Sequence, residues 1–110
     1  MTYNNTIYTI IETPLFTHDS KSIWDEDERG EFCAWLVEHP ETGTVVPGSG
    51  GCRKIRWTRE RTGKRGGVRV IYYNRLAHGE IHLLVIYAKN VQGNIPGYLL
   101  KAIKETINDV

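Results

Sequence analysis

The chain is short of the residues that staple or anchor many small proteins. Of its 110 residues only Cys33 and Cys52 are cysteine, and no CxxC pair is present. Two cysteines this far apart could bridge in a secreted protein but cannot make a multi-bridge scaffold. The N-terminus, MTYNNTIYTIIE, lacks the basic start and the small-residue cleavage site of a secretory signal. Both thiols are accordingly expected to be free, and the expected compartment is cytoplasmic. No apolar run approaches the roughly 18 residues that mark a membrane-spanning helix, so no membrane partner is expected. The histidines His18, His39, His78 and His82 are scattered, at spacings that resemble no metal site. No metal and no cofactor are expected. Repeats, linkers and low-complexity tracts are missing as well. What remains is 40% hydrophobic and 25% charged, an ordinary balance for a folded chain. It is long enough to bury a core unaided, so residues 1–110 read as one domain.

Charge is where the sequence departs from the ordinary. The net charge is only +1, but its sign is segregated. Residues 1–41 hold nine acids against Lys21 and Arg29, whereas residues 53–75 hold nine bases against Glu60. The basic stretch, RKIRWTRERTGKRGGVRVIYY, interleaves its cations with Trp57, Tyr72 and Tyr73. Like charges at this density repel one another. A polyanion relieves that repulsion, because Lys and Arg release counterions from phosphates and aromatic rings stack on unpaired bases. The plainer reading is an unevenly charged, solvated surface.

Residues Tyr3 to Glu12 read as a first strand, ended by Pro14. Thr17 is placed to cap a short helix. Asp25 with Glu28 resembles a capping box, and Phe32, Trp35, Leu36 and His39 follow on one helical face until Pro40 stops the helix. The acids Asp25 to Glu28 sit where a helix dipole favours them and need no functional explanation. The segment PETGTVVPGSGG, residues 40–51, resembles a phosphate cradle but lacks the Gly-Lys-Ser/Thr ending of a P-loop. It reads as a flexible lead-in to a second strand, Cys52 to Thr58. A basic hairpin turn over residues 59–67 leads to a third strand, Val68 to Arg75, and a turn near Gly79 leads to a fourth, Glu80 to Lys89. Asn94 and Pro96 are expected to cap and start a final helix, with Leu99, Leu100, Ile103 and Ile107 as its apolar stripe. The order implies an α+β domain whose N-terminal and C-terminal helices pack on one face of a small antiparallel sheet.

Strand alternation then sorts the cations. One consistent assignment buries Ile55, Val70, Leu84 and Ile86 against the helices. It leaves Lys54, Arg56, Arg69, Tyr73, Tyr87 and Lys89 on the opposite, open face. Arg59 and Arg61 read as solvated turn residues. Lys64 and Arg65 read either as turn residues or as phosphate contacts. Tyr72 and His82 read as core residues.

Three linked segments, HPETGTVVPGSGGCRKIRW, GKRGGVRVIYY and LLVIYAKN, resemble the RelE/ParE superfamily of bacterial toxins, most closely its HigB-like branch of RelE-type toxins. The resemblance is close over residues 40–90 and extends in outline to the whole chain. It implies a RelE-like fold and an mRNA interferase: a ribosome-dependent, metal-independent endoribonuclease that cuts translated mRNA and inhibits translation. It also implies the toxin half of a type II toxin-antitoxin system. The expected partners are mRNA, the ribosome and a cognate helix-turn-helix antitoxin of HigA-like type, with operator DNA reached only through that antitoxin. Carried onto this chain, the catalytic set is Lys54, Arg69, Tyr87 and Lys89. The family's basic cluster falls on Lys54, Arg56 and Arg69 with Arg65 added, and together with the charge and strand-face reading this makes Arg53, Arg56, Lys64, Arg65 and Tyr73 the expected RNA- and ribosome-binding set. Asn90 stands where some relatives have an arginine, and Tyr98 is a loose match to a C-terminal catalytic tyrosine.

Metal-free RNA cleavage needs the 2′-hydroxyl to attack the neighbouring phosphate, a proton acceptor, a donor for the leaving oxygen, and cations for the developing charge. Arg69 and Arg65 are placed to grip the scissile phosphate. Lys54 or Lys89, crowded by arginines that disfavour its protonated form, is the candidate base. Tyr87 is the candidate acid or a stacking surface. Two other classes stay open: a ParE-like toxin that acts on DNA gyrase through protein contacts, and a non-enzymatic RNA-binding module.

Overall fold

The computed structural model describes residues 2–4, 8–58, 67–89 and 93–108. The elements run β1 (Thr2–Asn4), β2 (Thr9–Glu12), α1 (Pro14–Ser20), α2 (Glu26–Glu38), β3 (Thr44–Val45), β4 (Arg53–Trp57), β5 (Val68–Arg75), a 3-10 turn (Leu76–His78), β6 (Glu80–Ala88) and α3 (Gly97–Glu105), with a closing 3-10 turn. The strands form one sheet in the order β1-β2-β6-β5-β4-β3. No helix among the described residues is long and apolar enough to cross a membrane.

The domain is α+β, but the sheet is mixed rather than antiparallel. Strand β2 runs parallel to β6, and every other pairing is antiparallel. The single expected first strand is two: β1 folds back on β2 with Tyr3 opposite Ile10. The expected Thr17 cap is replaced by Thr13, whose hydroxyl accepts the Phe16 amide at 3.0 Å while Pro14 occupies the first helical turn. Proline suits that position because its missing N–H has no helical partner there anyway. For α2 the expectation holds: Asp25 accepts the Glu28 amide at 2.8 Å, and the helix ends at Glu38, before Pro40.

The helices do not share one face. Helices α1 and α2 close a core of Phe16, Phe32, Cys33 and Leu36 against Ile10, Ile55, Val68, Val70, Tyr72, Ile81, Leu83 and Ile86. A second cluster lies on the other side of the sheet, where Leu100, Ile103 and Ile107 of the C-terminal segment meet Cys52, Ile71, Leu84, Val85 and Tyr87. The face expected to be open is thus partly roofed by α3. This gives the C-terminal stripe an apolar partner.

Leu84 was expected beside Ile55 and Val70, and a β-bulge moves it. Ile71 pairs with Val85 but Tyr72 pairs with Leu83, so Leu84 is the extra residue. An inserted residue resets the alternation of the strand that carries it. Leu83 therefore points to the α1/α2 core, and Leu84, Val85 and Tyr87 to the α3 side. Thr13 satisfies the disturbed backbone: its amide donates to the Leu83 carbonyl at 3.0 Å and its hydroxyl to the Leu84 carbonyl at 2.9 Å.

The glycine-rich segment is pinned rather than flexible. Ser49 is fully buried; its hydroxyl donates to the Val46 carbonyl at 2.6 Å and accepts the Cys52 amide at 3.0 Å. Gly97 packs so closely on Pro47 that a β-carbon would collide with the Pro47 carbonyl. The start of α3 is thereby seated on this loop.

Candidate functional site

The site is built by strand register. Arg56 on β4 lies opposite Arg69 on β5, and Arg69 lies opposite Tyr87 on β6. One row along, Lys54 is opposite Ile71, and Ile71 opposite Val85. Directly opposed residues in a sheet share a face. Lys54, Arg56, Arg69 and Tyr87 therefore converge on the α3 side of the sheet, beside the N-terminal end of α3. Gly67 closes β4 against β5 with a positive φ of 72°. A β-carbon there would sit 2.7 Å from the Thr58 hydroxyl and 2.9 Å from the Trp57 carbonyl. Its own carbonyl accepts the Lys89 amide at 3.4 Å, which draws the end of β6 to the same corner.

The expected helix cap at Asn94 is absent. The cap position is Pro96, which has no side-chain oxygen to offer. The Asn94 side chain is used elsewhere: its Oδ1 accepts from Lys54 Nζ at 3.2 Å and from Lys89 Nζ at 3.4 Å. Two lysines from strands that are not neighbours thus meet at one amide oxygen. Sequence reasoning missed Asn94 as a site residue because an Asn ahead of a proline reads first as a capping signal.

Tyr87 is not exposed on an open platform. It is 5% exposed, and its hydroxyl has no hydrogen-bond partner among the described residues. Burial pushes its pKa up, and the Arg69 charge pulls the other way. The phenol is thus held in its protonated, proton-donating form. With its ring buried among Leu84, Val85 and Leu100, Tyr87 is not free to stack on a base, and its hydroxyl, buried as well, would have to be uncovered by the substrate to donate a proton.

Two other expected binding residues are engaged. Arg53 belongs to the opposite face, and its Nη1 donates to the carbonyls of Glu41 at 3.0 Å and Gly43 at 2.7 Å. It works with Tyr72, whose hydroxyl donates to the Pro40 carbonyl at 2.8 Å and accepts the Gly43 amide at 2.9 Å. Both hold the loop between α2 and β3. Tyr73 does lie on the α3 side, but Lys104 covers its ring, with Nζ 4.8 Å from the centroid. Lys64 and Arg65, with Arg59, Arg61 and Asn90, lie outside the described residues. Tyr98 is exposed on the first turn of α3.

The histidines do not join this site. His82 is buried and its Nε2 lies 3.0 Å from Glu80 Oε1. His39 stacks on Trp35, with the ring centroids 4.7 Å apart. Cys33 and Cys52 are free and buried. Among the described residues no cluster of three or more His, Cys, Asp or Glu side chains could hold a metal ion. No protein-family model matches the chain.

Chemically, the assembled groups offer two ammoniums, two guanidiniums and one buried phenol on a single corner of the sheet. That combination suits a phosphodiester: cations neutralise the phosphate, a guanidinium can donate two parallel N–H bonds to it, and the phenol can supply a proton.

Proposed function

We propose that the chain is a ribosome-dependent endoribonuclease that cuts translated mRNA, acting as the toxin of a type II toxin-antitoxin pair. The RelE-like fold, the HigB-like branch and a helix-turn-helix antitoxin of HigA-like type are part of this proposal. They rest on the resemblance of residues 40–90. One structural observation carries the chemistry: the row Arg56, Arg69, Tyr87 across three strands, flanked by the Lys54 and Lys89 ammoniums.

In this reading Arg69 and Arg56 hold the scissile phosphate and offset the charge that builds on it. Lys54 or Lys89, acting as the neutral amine while the other keeps its charge, takes the proton of the attacking 2′-hydroxyl. Tyr87 protonates the departing 5′-oxygen. The new bond joins the 2′-oxygen to phosphorus and the broken bond releases the 5′-oxygen. The products are a 2′,3′-cyclic phosphate and a 5′-hydroxyl, with no co-reactant consumed. The ribosome supplies the alignment of the mRNA, which is worth more to this reaction than a strong base.

The test is induction of the wild-type chain and of Arg69→Ala, followed by primer extension of cellular mRNAs. New 5′ ends inside translated frames, absent in Arg69→Ala, are expected. Intact mRNA with stalled replication would move the assignment to a gyrase-directed toxin. RNA binding without new ends would move it to a non-enzymatic RNA-binding module.

A further inference from the structure

Asn94 stands two residues ahead of the Pro96 cap position, on an exposed stretch of chain. At that distance it cannot serve the helix. The side-chain cap that an Asn commonly supplies is unfilled here, because Pro96 makes no side-chain cap bond. The amide oxygen instead accepts from both Lys54 and Lys89. Two ammoniums this close repel each other, and a neutral acceptor between them offsets part of that repulsion. Lys54 comes from β4 and Lys89 follows β6, with β5 between them. The strands alone do not bring these flexible side chains to a point; Asn94 does.

We propose that Asn94 is a positioning residue that gathers the Lys54 and Lys89 amines into one pair and keeps them paired while their remaining N–H donors take a phosphate oxygen of the bound RNA strand. The inference rests on the reading of this corner as an RNA-cleaving site. A lysine side-chain nitrogen has more than one N–H, so each can keep the amide oxygen while donating to a phosphate oxygen. Asn94 thus holds their geometry both before RNA arrives and while it is cut. Being uncharged, it performs this without repelling the phosphate as a carboxylate would.

Three variants separate positioning from simple structure. In Asn94→Ala both lysines keep their charge, so affinity for an uncleavable 2′-O-methyl RNA, and its salt dependence, should change less than twofold. The single-turnover rate of mRNA cutting on ribosomes should fall about a hundredfold, as expected for loss of alignment. Asn94→Asp keeps the acceptor but adds a negative charge, so it should weaken RNA binding while sparing the cutting rate of bound RNA. Asn94→Gln should restore part of the rate lost in Asn94→Ala. Wild-type cutting by Asn94→Ala would overturn the inference, and so would a loss of cutting that tracks a loss of thermal stability.

A readout independent of cutting keeps the two proposals apart. In lysine side-chain NMR, Asn94→Ala should shift the Lys54 and Lys89 signals together and leave those of Lys101 and Lys104 in place. If the wild type cuts no RNA but this paired shift appears, the nuclease reading fails and the positioning role stands. If only one lysine signal moves, or neither, the positioning role fails whatever the nuclease result.

Discussion

Arg69 on β5 lies directly opposite Tyr87 on β6, so a guanidinium stands beside a buried phenol whose hydroxyl has no partner among the described residues. A buried hydroxyl left unpaired costs stability, of the order of 1–3 kcal/mol. Such a cost is commonly retained where the group has work to do on a ligand. Tyr87→Phe should therefore raise the urea midpoint slightly, by about 1 kcal/mol in stability. It should lower ribosome-dependent cutting at least tenfold while leaving RNA binding close to wild type. A Tyr87→Phe protein that is destabilised but cuts normally would make the phenol a purely structural group.

Tyr72 makes the opposite case, a tyrosine whose hydroxyl is fully used. It donates to the Pro40 carbonyl and accepts the Gly43 amide. Tyr72→Phe leaves that amide without its partner, so a loss of about 1–3 kcal/mol is expected. Amide hydrogen exchange at Gly43 should accelerate, with cutting reduced only through the lower stability. Unchanged exchange at Gly43 would show that the loop is held by Arg53 and by Asn74, whose amide donates to the Pro40 carbonyl at 2.8 Å, without Tyr72.

The buried pair of Glu12 and Arg29 ties β2 to α2. The Arg29 Nε donates to Glu12 Oε2, and the Thr17 hydroxyl donates to Glu12 Oε1 at 2.8 Å. Removing one partner strands the other charge, at a cost of about 3–5 kcal/mol, whereas removing both costs much less. Arg29→Met alone should lower the melting temperature sharply. Glu12→Leu combined with Arg29→Met should recover most of it. Additive losses in the double variant would contradict this account.

Alkaline stability should report on Cys33. Burial pushes this thiol up from 9.0 to about 12, against the opposing pull of Arg29. An unfolded thiol ionises near 9.0, whereas the folded one does not until about 12. The raised folded value therefore leaves stability untouched below pH 9 and erodes it as pH climbs toward 12. The slope is about 1.4 kcal/mol per pH unit from this group. Cys52, Tyr72 and Tyr87 are shifted in the same direction by burial. Cys33→Ala should flatten the fall in melting temperature between pH 9 and 11, measured under reducing conditions; an identical profile would rule out the thiol as its source.

Much of this molecule follows from local rules. The 2-residue period of RKIRW and VRVIYYNR put Arg56 and Arg69 on one face, because alternation is a property of any extended chain. Asp25 capped α2, because a carboxylate beside free amide donors needs no tertiary help. The parts that were not legible depend on contacts between distant segments. The bulge at Leu84 has no local signature in the run IHLLVIYA, yet it moves Leu84 from the expected α1/α2 core to the α3 side. The placement of α3 across the sheet depended on which apolar surface the N-terminal helices left uncovered. Tyr73 shares the α3 side with Lys54 and Arg69, and only Lys104 withdraws it from the site, whereas Arg53, out of phase with Lys54, is held on the other face by the loop carbonyls. Asn94 was ambiguous because an amide oxygen serves a helix end or a lysine equally well. Local chemistry determined which residues could act on a polyanion; long-range packing decided which of them meet.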